Sequence, residues 1–120
     1  MKASPGARGG RARALAERKC VPCEGGVAPL TPAKARTLTS KLAKGWTLAD
    51  DAKRLERAFK FKDFYRTMSL VGAVAHIANV EDHHPDLQIG YDYCRISYST
   101  HAIGGLSTND FICAAKIDRL

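Results

Sequence analysis

Long apolar runs are missing from this chain. The two longest stretches free of Asp, Glu, Lys and Arg are Thr67 to Val80 and Ile96 to Asn109, 14 residues each, and both contain a histidine. A membrane-spanning helix needs about 20 apolar residues, so the sequence reads as no integral membrane protein. Acid is scarce at the N-terminal end: Glu17 alone faces Lys2, Arg8, Arg11, Arg13, Arg18 and Lys19. Cysteine is also too sparse for a disulfide scaffold. Cys20 and Cys23 form one C-x-x-C, while Cys94 and Cys113 lie apart in apolar patterns. A lone C-x-x-C is compatible with half a zinc site, a redox pair or chance. No second pair with metal-ligand spacing completes a four-ligand zinc site. Free thiols and a reducing compartment are therefore expected, in the absence of a signal-peptide apolar region. No nucleophile motif surrounds a serine or cysteine, and Gly104-Gly105 is too short to cradle a phosphate.

What is present is the composition of one globular domain. The chain has 120 residues, 45% of them hydrophobic and 26% charged, with a net charge of +7. A chain of this length hides roughly two thirds of its unfolded surface, enough for one core. Five of the seven net positive charges fall in residues 1–19, so the remaining chain is nearly neutral. That distribution gives no reason to expect a basic nucleic-acid-binding face. The sequence divides into a basic arm and C-x-x-C linker over 1–29 and a folded domain over 30–120. The arm reads as a solvated tail, the remnant of an organelle-targeting peptide or a weak polyanion contact. It holds one large aliphatic residue before Val21, namely Leu15. Deleting 1–19 is accordingly expected to leave turnover and assembly unchanged.

Along the domain, Thr31-Pro32 reads as an N-cap with proline at the first helical position. Ala35, Leu38 and Leu42 carry that helix to about Lys44, before Gly45. Trp46–Asp50 and Arg54–Phe61 form two strands around an Asp-Asp-Ala-Lys turn, with Leu55, Arg57, Phe59 and Phe61 on one face. Asp63 caps a second helix to about Glu81, with Phe64, Met68, Val71, Val74, Ala75 and Ala78 as its apolar stripe and His76 within it as a structural residue. Pro85 and Gly90 lead into two further strands, the second Tyr93–Thr100. Ser107-Thr108-Asn109-Asp110 has capping-box form before a last helix. Helices separated by hairpins imply an α+β fold of two layers, a four-stranded antiparallel sheet with helices packed on one face.

Polar chemistry gathers in Asp82-His83-His84-Pro85-Asp86 and in Ser99-Thr100-His101. Histidine gives and takes protons near neutral pH. Pro85 biases His84 towards extended backbone, where adjacent side chains diverge. His83 and His84 are then placed to flank a flat ligand rather than to chelate one ion, with His101 facing them from a strand end. No H-x-H or H-x-x-x-H pair supports a metal.

These residues resemble the pterin-4a-carbinolamine dehydratase family. His83-His84-Pro85 is followed after five residues by Tyr91, after nine more by His101 and after eight more by Asp110, as in the family signature. Asn79 stands where the family usually carries a carboxylate. Gly45-Trp46 and Phe61-Lys62-Asp63-Phe64 are also similar, and the resemblance covers about 30–120. Cys20-Val21-Pro22-Cys23 with His101-Ala102-Ile103-Gly104-Gly105-Leu106 looks like a plant-type or algal-type branch.

The resemblance implies dehydration of 4a-hydroxytetrahydropterin, formed when aromatic amino-acid hydroxylases turn over, to quinonoid dihydropterin and water. No cofactor and no metal are implied. By matching positions, Asp82, His83 and His84 line one side of the pterin and Ser99, Thr100, His101 and Ala102 the other. His83 and His101 are the expected proton-transfer pair, His84 positions the ring, and Asp110 orients a histidine or simply caps its helix. The family also implies a homo-oligomer, dimer or tetramer, and in animals a second role as a dimerisation cofactor that binds protein rather than DNA. A non-catalytic protein-binding module on the same fold is the alternative. The expected location is the cytoplasm, or a plastid or mitochondrion if the arm is a targeting remnant.

Overall fold

The computed structural model describes residues 15–22 and 25–120; Cys23 and the arm's Lys2, Arg8, Arg11 and Arg13 lie outside the described residues. Among the described residues the elements are α1 (Pro32–Thr39), β1 (Thr47–Ala49), β2 (Arg54–Lys60), α2 (Phe64–Glu81), β3 (Asp86–Ile89), β4 (Tyr93–Tyr98), a 3-10 turn (His101–Ile103) and α3 (Thr108–Asp118). Residues 15–17 are also helical. The fold is α+β, and its sheet is antiparallel throughout in the order β1-β2-β4-β3.

Two-residue alternation sorts the sheet into faces. Leu48 pairs with Leu55, Leu55 with Tyr98, Phe59 with Cys94, and Leu87 with Ile96, so these side chains share the face that enters the core. Arg54, Glu56, Arg95, Ser97, Asp86 and Gln88 fall on the other face, where Arg54 and Glu56 lie 3.4 Å apart. Val74, Ile77, Phe111, Ile112 and Ala115 from α2 and α3 complete the core.

Three sequence expectations shift. The first helix stops at Thr39 rather than near Lys44. Thr37, Thr39 and Ser40 turn their hydroxyls back onto the carbonyls of Ala33, Ala35 and Thr37, and Lys41 and Leu42 then bond only three residues back. Such side-chain bonds compete with the helical ladder. The buried stripe of α2 is also turned from the expected one: Thr67, Val74, Ile77, Ala78 and Glu81 face inward, while Phe64, Met68 and His76 are exposed. Thr67 can occupy a core position because its hydroxyl donates locally to the Asp63 carbonyl at 2.9 Å, with the Tyr91 carbonyl a second acceptor at 3.0 Å. Phe64 instead stacks on Tyr91, ring centres 6.4 Å apart.

The third shift concerns the arm. Leu15 and Ala16 are 4% and 5% exposed and belong to the core cluster. Lys116 donates to the Ala16 carbonyl at 2.6 Å. The end of the arm is therefore packed onto α3 rather than solvated.

At the far end of α3, Asp118 collects three donors: the Ala43 amide (2.9 Å), the Trp46 indole (2.8 Å) and the Arg57 guanidinium (2.8 Å). The guanidinium also lies 4.4 Å from the Phe59 ring centre, over its face. Asp118→Ala leaves an indole N–H and a half-buried cation unpaired and is expected to lower the unfolding free energy by about 2–3 kcal/mol, read from urea denaturation. Deleting residues 1–18 removes the buried Leu15 and is expected to cost about 2 kcal/mol; an unchanged urea midpoint would show that the contact contributes nothing.

Candidate functional site

The Asp82 backbone sets the site's geometry. It closes α2 in the left-handed conformation (φ 51°, ψ 44°), its N–H bonding back to the Ala78 carbonyl. Aspartate tolerates this region better than most residues. The next residue, His83, bonds its own N–H to the same carbonyl at 3.1 Å and turns its ring inward. Its Nε2 lies 2.6 Å from Asp110 Oδ1, and its ring stacks on Tyr98 with 5.9 Å between centres and 6° between planes.

Asp110 is fully buried. It is the third residue of α3, and its second oxygen accepts from the Ser107 amide at 2.9 Å and the Thr100 hydroxyl at 2.8 Å. Capping and histidine orientation are thus done by one side chain through different oxygens. Burial works to lower the pKa of His83, but the hydrogen bond to Asp110 and its negative charge outweigh it and hold the imidazole above its ordinary value.

Around His83 opens a cleft of about 630 Å³. Asp82, His83, His84, Ser99, Thr100, His101 and Ala102 all line it, whereas Asp86 from the same polar stretch falls on the other face of the sheet. His84 is exposed in the irregular stretch before Pro85, and His101 is exposed at the start of the 3-10 turn. Ser99 donates to the Lys53 carbonyl at 3.0 Å, and the Thr100 and Ser107 hydroxyls lie 2.8 Å apart. Asn79 is exposed on α2 and is not part of the lining, and Tyr91 lies outside it as well. Among the described residues, no group of three or more His, Cys, Asp or Glu side chains is arranged to hold a metal ion. No helix among them is long and apolar enough to cross a membrane.

Sequence reasoning missed one wall. Lys19, Cys20, Val21 and Pro22 line the cleft beside Glu81 and Asn109. The Asn109 amide clasps Val21 from both sides, accepting from its N–H at 3.0 Å and donating to its carbonyl at 2.6 Å. The Cys20 N–H donates to Glu81 at 2.9 Å. Burial acts to raise the pKa of Glu81, but this bond and the cations Lys116 and Lys19 bring it below its usual value. The only local signal was a glutamate inside the apolar end of α2, a residue type rarely buried without a partner.

With this geometry in view, the comparisons with known proteins are decisive. The family model for pterin 4 alpha carbinolamine dehydratase matches residues 28–120. The chain belongs to that family. It is 58% identical over 106 residues to a protein of Nitrosomonas eutropha with the provisional name pterin-4-alpha-carbinolamine dehydratase, covering 88% of this chain and 92% of that one. A Legionella pneumophila protein of the same provisional name is 50% identical over 106 residues, 88% of this chain and 94% of that one. Among solved structures, a transcriptional coactivator/pterin dehydratase from Brucella melitensis superposes with a TM-score of 0.71 at 28% identity, over 76% of this chain and 96% of that chain. A pterin dehydratase-like protein described as a RuBisCO assembly factor in the alpha-carboxysome shares the fold at TM-score 0.54 and 20% identity, over 62% of this chain and 87% of that one. The 106-residue likenesses are longer than residues 28–120 alone, so they extend into the segment that supplies the extra wall.

The raised pKa of His83 makes stability depend on pH with a definite sign. Below about pH 6.5, the ordinary imidazole value, folded and unfolded chains both hold the proton and the full contribution is present. Above it the unfolded chain releases its proton first, so stability falls as pH rises through the folded value. NMR titration should place His83 above about 6.5, with the Asp110→Asn variant lower. A wild-type value at or below about 6.5 would overturn the assignment.

Proposed function

We propose that this member of the family is a 4a-hydroxytetrahydropterin dehydratase that forms quinonoid dihydropterin and water, as in tetrahydrobiopterin recycling, by histidine acid–base catalysis. The observation that carries the reading is His83 tethered to the buried Asp110 at 2.6 Å in a cleft shared with His84 and His101. A cleft of about 630 Å³ is within the usual range for small-molecule sites.

Loss of the 4a-hydroxyl as water needs one proton delivered to that oxygen and one removed from a ring nitrogen. Asp110 favours the imidazolium form of His83, which suits it to donate to the departing hydroxyl. His101, from the other side of the cleft, accepts the ring-nitrogen proton. His84 holds the pterin ring, Asp82, Ser99, Thr100 and Ala102 complete the binding surface, and Asp110 keeps His83 in orientation. Proton transfer of this kind needs no Lewis acid and no cofactor.

A second reading, a protein-binding module, draws on exposed aromatic and aliphatic side chains: Phe64, Tyr65 and Met68 on α2, with Ile89, Tyr91 and Tyr93 around the β3–β4 turn. The Brucella protein is described as both coactivator and dehydratase, and the carboxysome protein as an assembly factor. We assign this surface first to homo-oligomer contacts, as dimer or tetramer, with another protein as the alternative partner.

His83→Ala and His101→Ala are each expected to lower turnover of a synthetic 4a-carbinolamine by about 100-fold or more while leaving the fold intact. Exhaustive chelation should change nothing. Wild-type rates in both variants would end the histidine mechanism, absence of turnover by the wild-type protein would favour the binding module, and a rate abolished by chelator and restored by zinc would mean a different chemistry.

A further inference from the structure

Two thiols far apart in sequence meet beneath the wall of the cleft. Cys20 Sγ lies 3.6 Å from Cys113 Sγ, at van der Waals contact, across a sequence separation of 93 residues. The same Cys20 sulfur is 3.6 Å from the Asn109 carbonyl. Cys113 is fully buried on α3, whereas Cys20 is partly exposed and lines the cleft. Cys94, the other described cysteine, is buried in the central sheet. A disulfide needs about 2.05 Å between sulfurs. Cys113 is held by its helix, but Cys20 sits in non-helical backbone between Lys19 and Val21. Closing the gap takes a shift of about 1.5 Å of the Cys20 sulfur towards α3.

We propose that Cys20 and Cys113 form an oxidant-responsive thiol pair, closed to a disulfide by hydroperoxides, which locks residues 19–22 onto α3 as a fixed wall of the cleft. This inference stands apart from the dehydratase reading, and its test needs no activity measurement.

The two sulfurs are unequal. The hydrogen bond with Cys113 is the largest influence on the Cys20 thiol and lowers its pKa; burial and Glu81 oppose this, and His83 and Lys116 reinforce it. Cys113 is shifted the opposite way, chiefly by the same bond and then by burial. Cys20 is thus the attacking thiolate and Cys113 the resolving thiol. Attack of Cys20 Sγ on a peroxide oxygen breaks the O–O bond. Cys20 becomes a sulfenic acid, and the departing hydroxide, or alkoxide from an organic hydroperoxide, takes up the proton released by the Cys20 thiol and leaves as water or alcohol. Cys113 Sγ then attacks the Cys20 sulfur and the S–O bond breaks. The leaving hydroxide takes the Cys113 proton as water. Each disulfide formed removes two electrons from the thiols and reduces one hydroperoxide.

The test is hydrogen peroxide added to the full chain, followed by intact mass, peptide mapping without reductant and thermal melting. The expected product has lost two hydrogens, maps to a Cys20–Cys113 crosslink and melts higher by roughly 5 °C or more, because a long loop is closed. Reductant should reverse the shift. Cys20→Ser and Cys113→Ser should each abolish the crosslink and the shift, while Cys94→Ser keeps both; melting of the reduced variants verifies that they are folded. A crosslink between Cys20 and Cys23, or oxidation of Cys20 to sulfinic acid with no crosslink, overturns the proposal.

Discussion

The carboxylate of Asp110 is the point on which fold and cleft both depend. It is fully buried, and a buried charge is tolerable only when its oxygens are satisfied. One oxygen meets His83; the other is shared by the Ser107 amide and the Thr100 hydroxyl. Those partners come from the end of α2, the start of α3 and the strand exit after β4. A single side chain therefore fixes three chain segments relative to one another. Its position in the first turn of α3 adds the favourable interaction of a negative charge with a helix N-terminus. The same bonds leave His83 oriented and more basic than an ordinary histidine side chain.

Helix α3 carries a second aspartate at its other end, where the helix dipole is unfavourable to negative charge. Asp118 is held there by Arg57 at 2.8 Å together with the Trp46 indole and the Ala43 amide. The guanidinium, flanked by aromatic rings, explains why an arginine occupies the core-facing side of β2. Gly45 belongs to the same cluster: its φ is 113°, and a Cβ there would approach Arg57 Nε to 3.0 Å. The two aspartates thus anchor the helix at opposite ends, one to the cleft and one to the first hairpin.

The cleft itself is assembled from four separate pieces of chain: residues 19–22, the end of α2, the exit of β4 and Asn109 at the start of α3. The first of these precedes the region matched by the family model. Asn109 and Glu81 attach it through backbone groups at Val21 and Cys20, and Lys116 holds the Ala16 carbonyl just before it. These backbone attachments add to the side-chain burial of Leu15 and to the contact of Cys20 Sγ with Cys113.

Much of the architecture was legible because it follows from local periodicity and punctuation. Asp63 and Ser107 as caps, the two hairpins and the inward face of β2 required only the spacing of apolar residues and turn formers. The clustering of His83, His84 and His101 was legible too, since each sits just beyond a regular element whose end the sequence marks. Contacts between distant segments were not. Nothing in the spacing of α2 tells that Thr67 outranks Phe64 for a buried position, because Phe64 finds its ring partner, and Thr67 its second acceptor, at the distant Tyr91. Nor does a C-x-x-C reveal that Cys20 meets Cys113, 93 residues away. The sequence by itself determined the elements and which residues would carry polar chemistry, since both are written in local patterns. Only the tertiary structure decided which oxygen of Asp110 serves His83, which sulfur faces Cys20 and what forms the second wall of the cleft, because those pairings arise from packing between segments far apart in the chain.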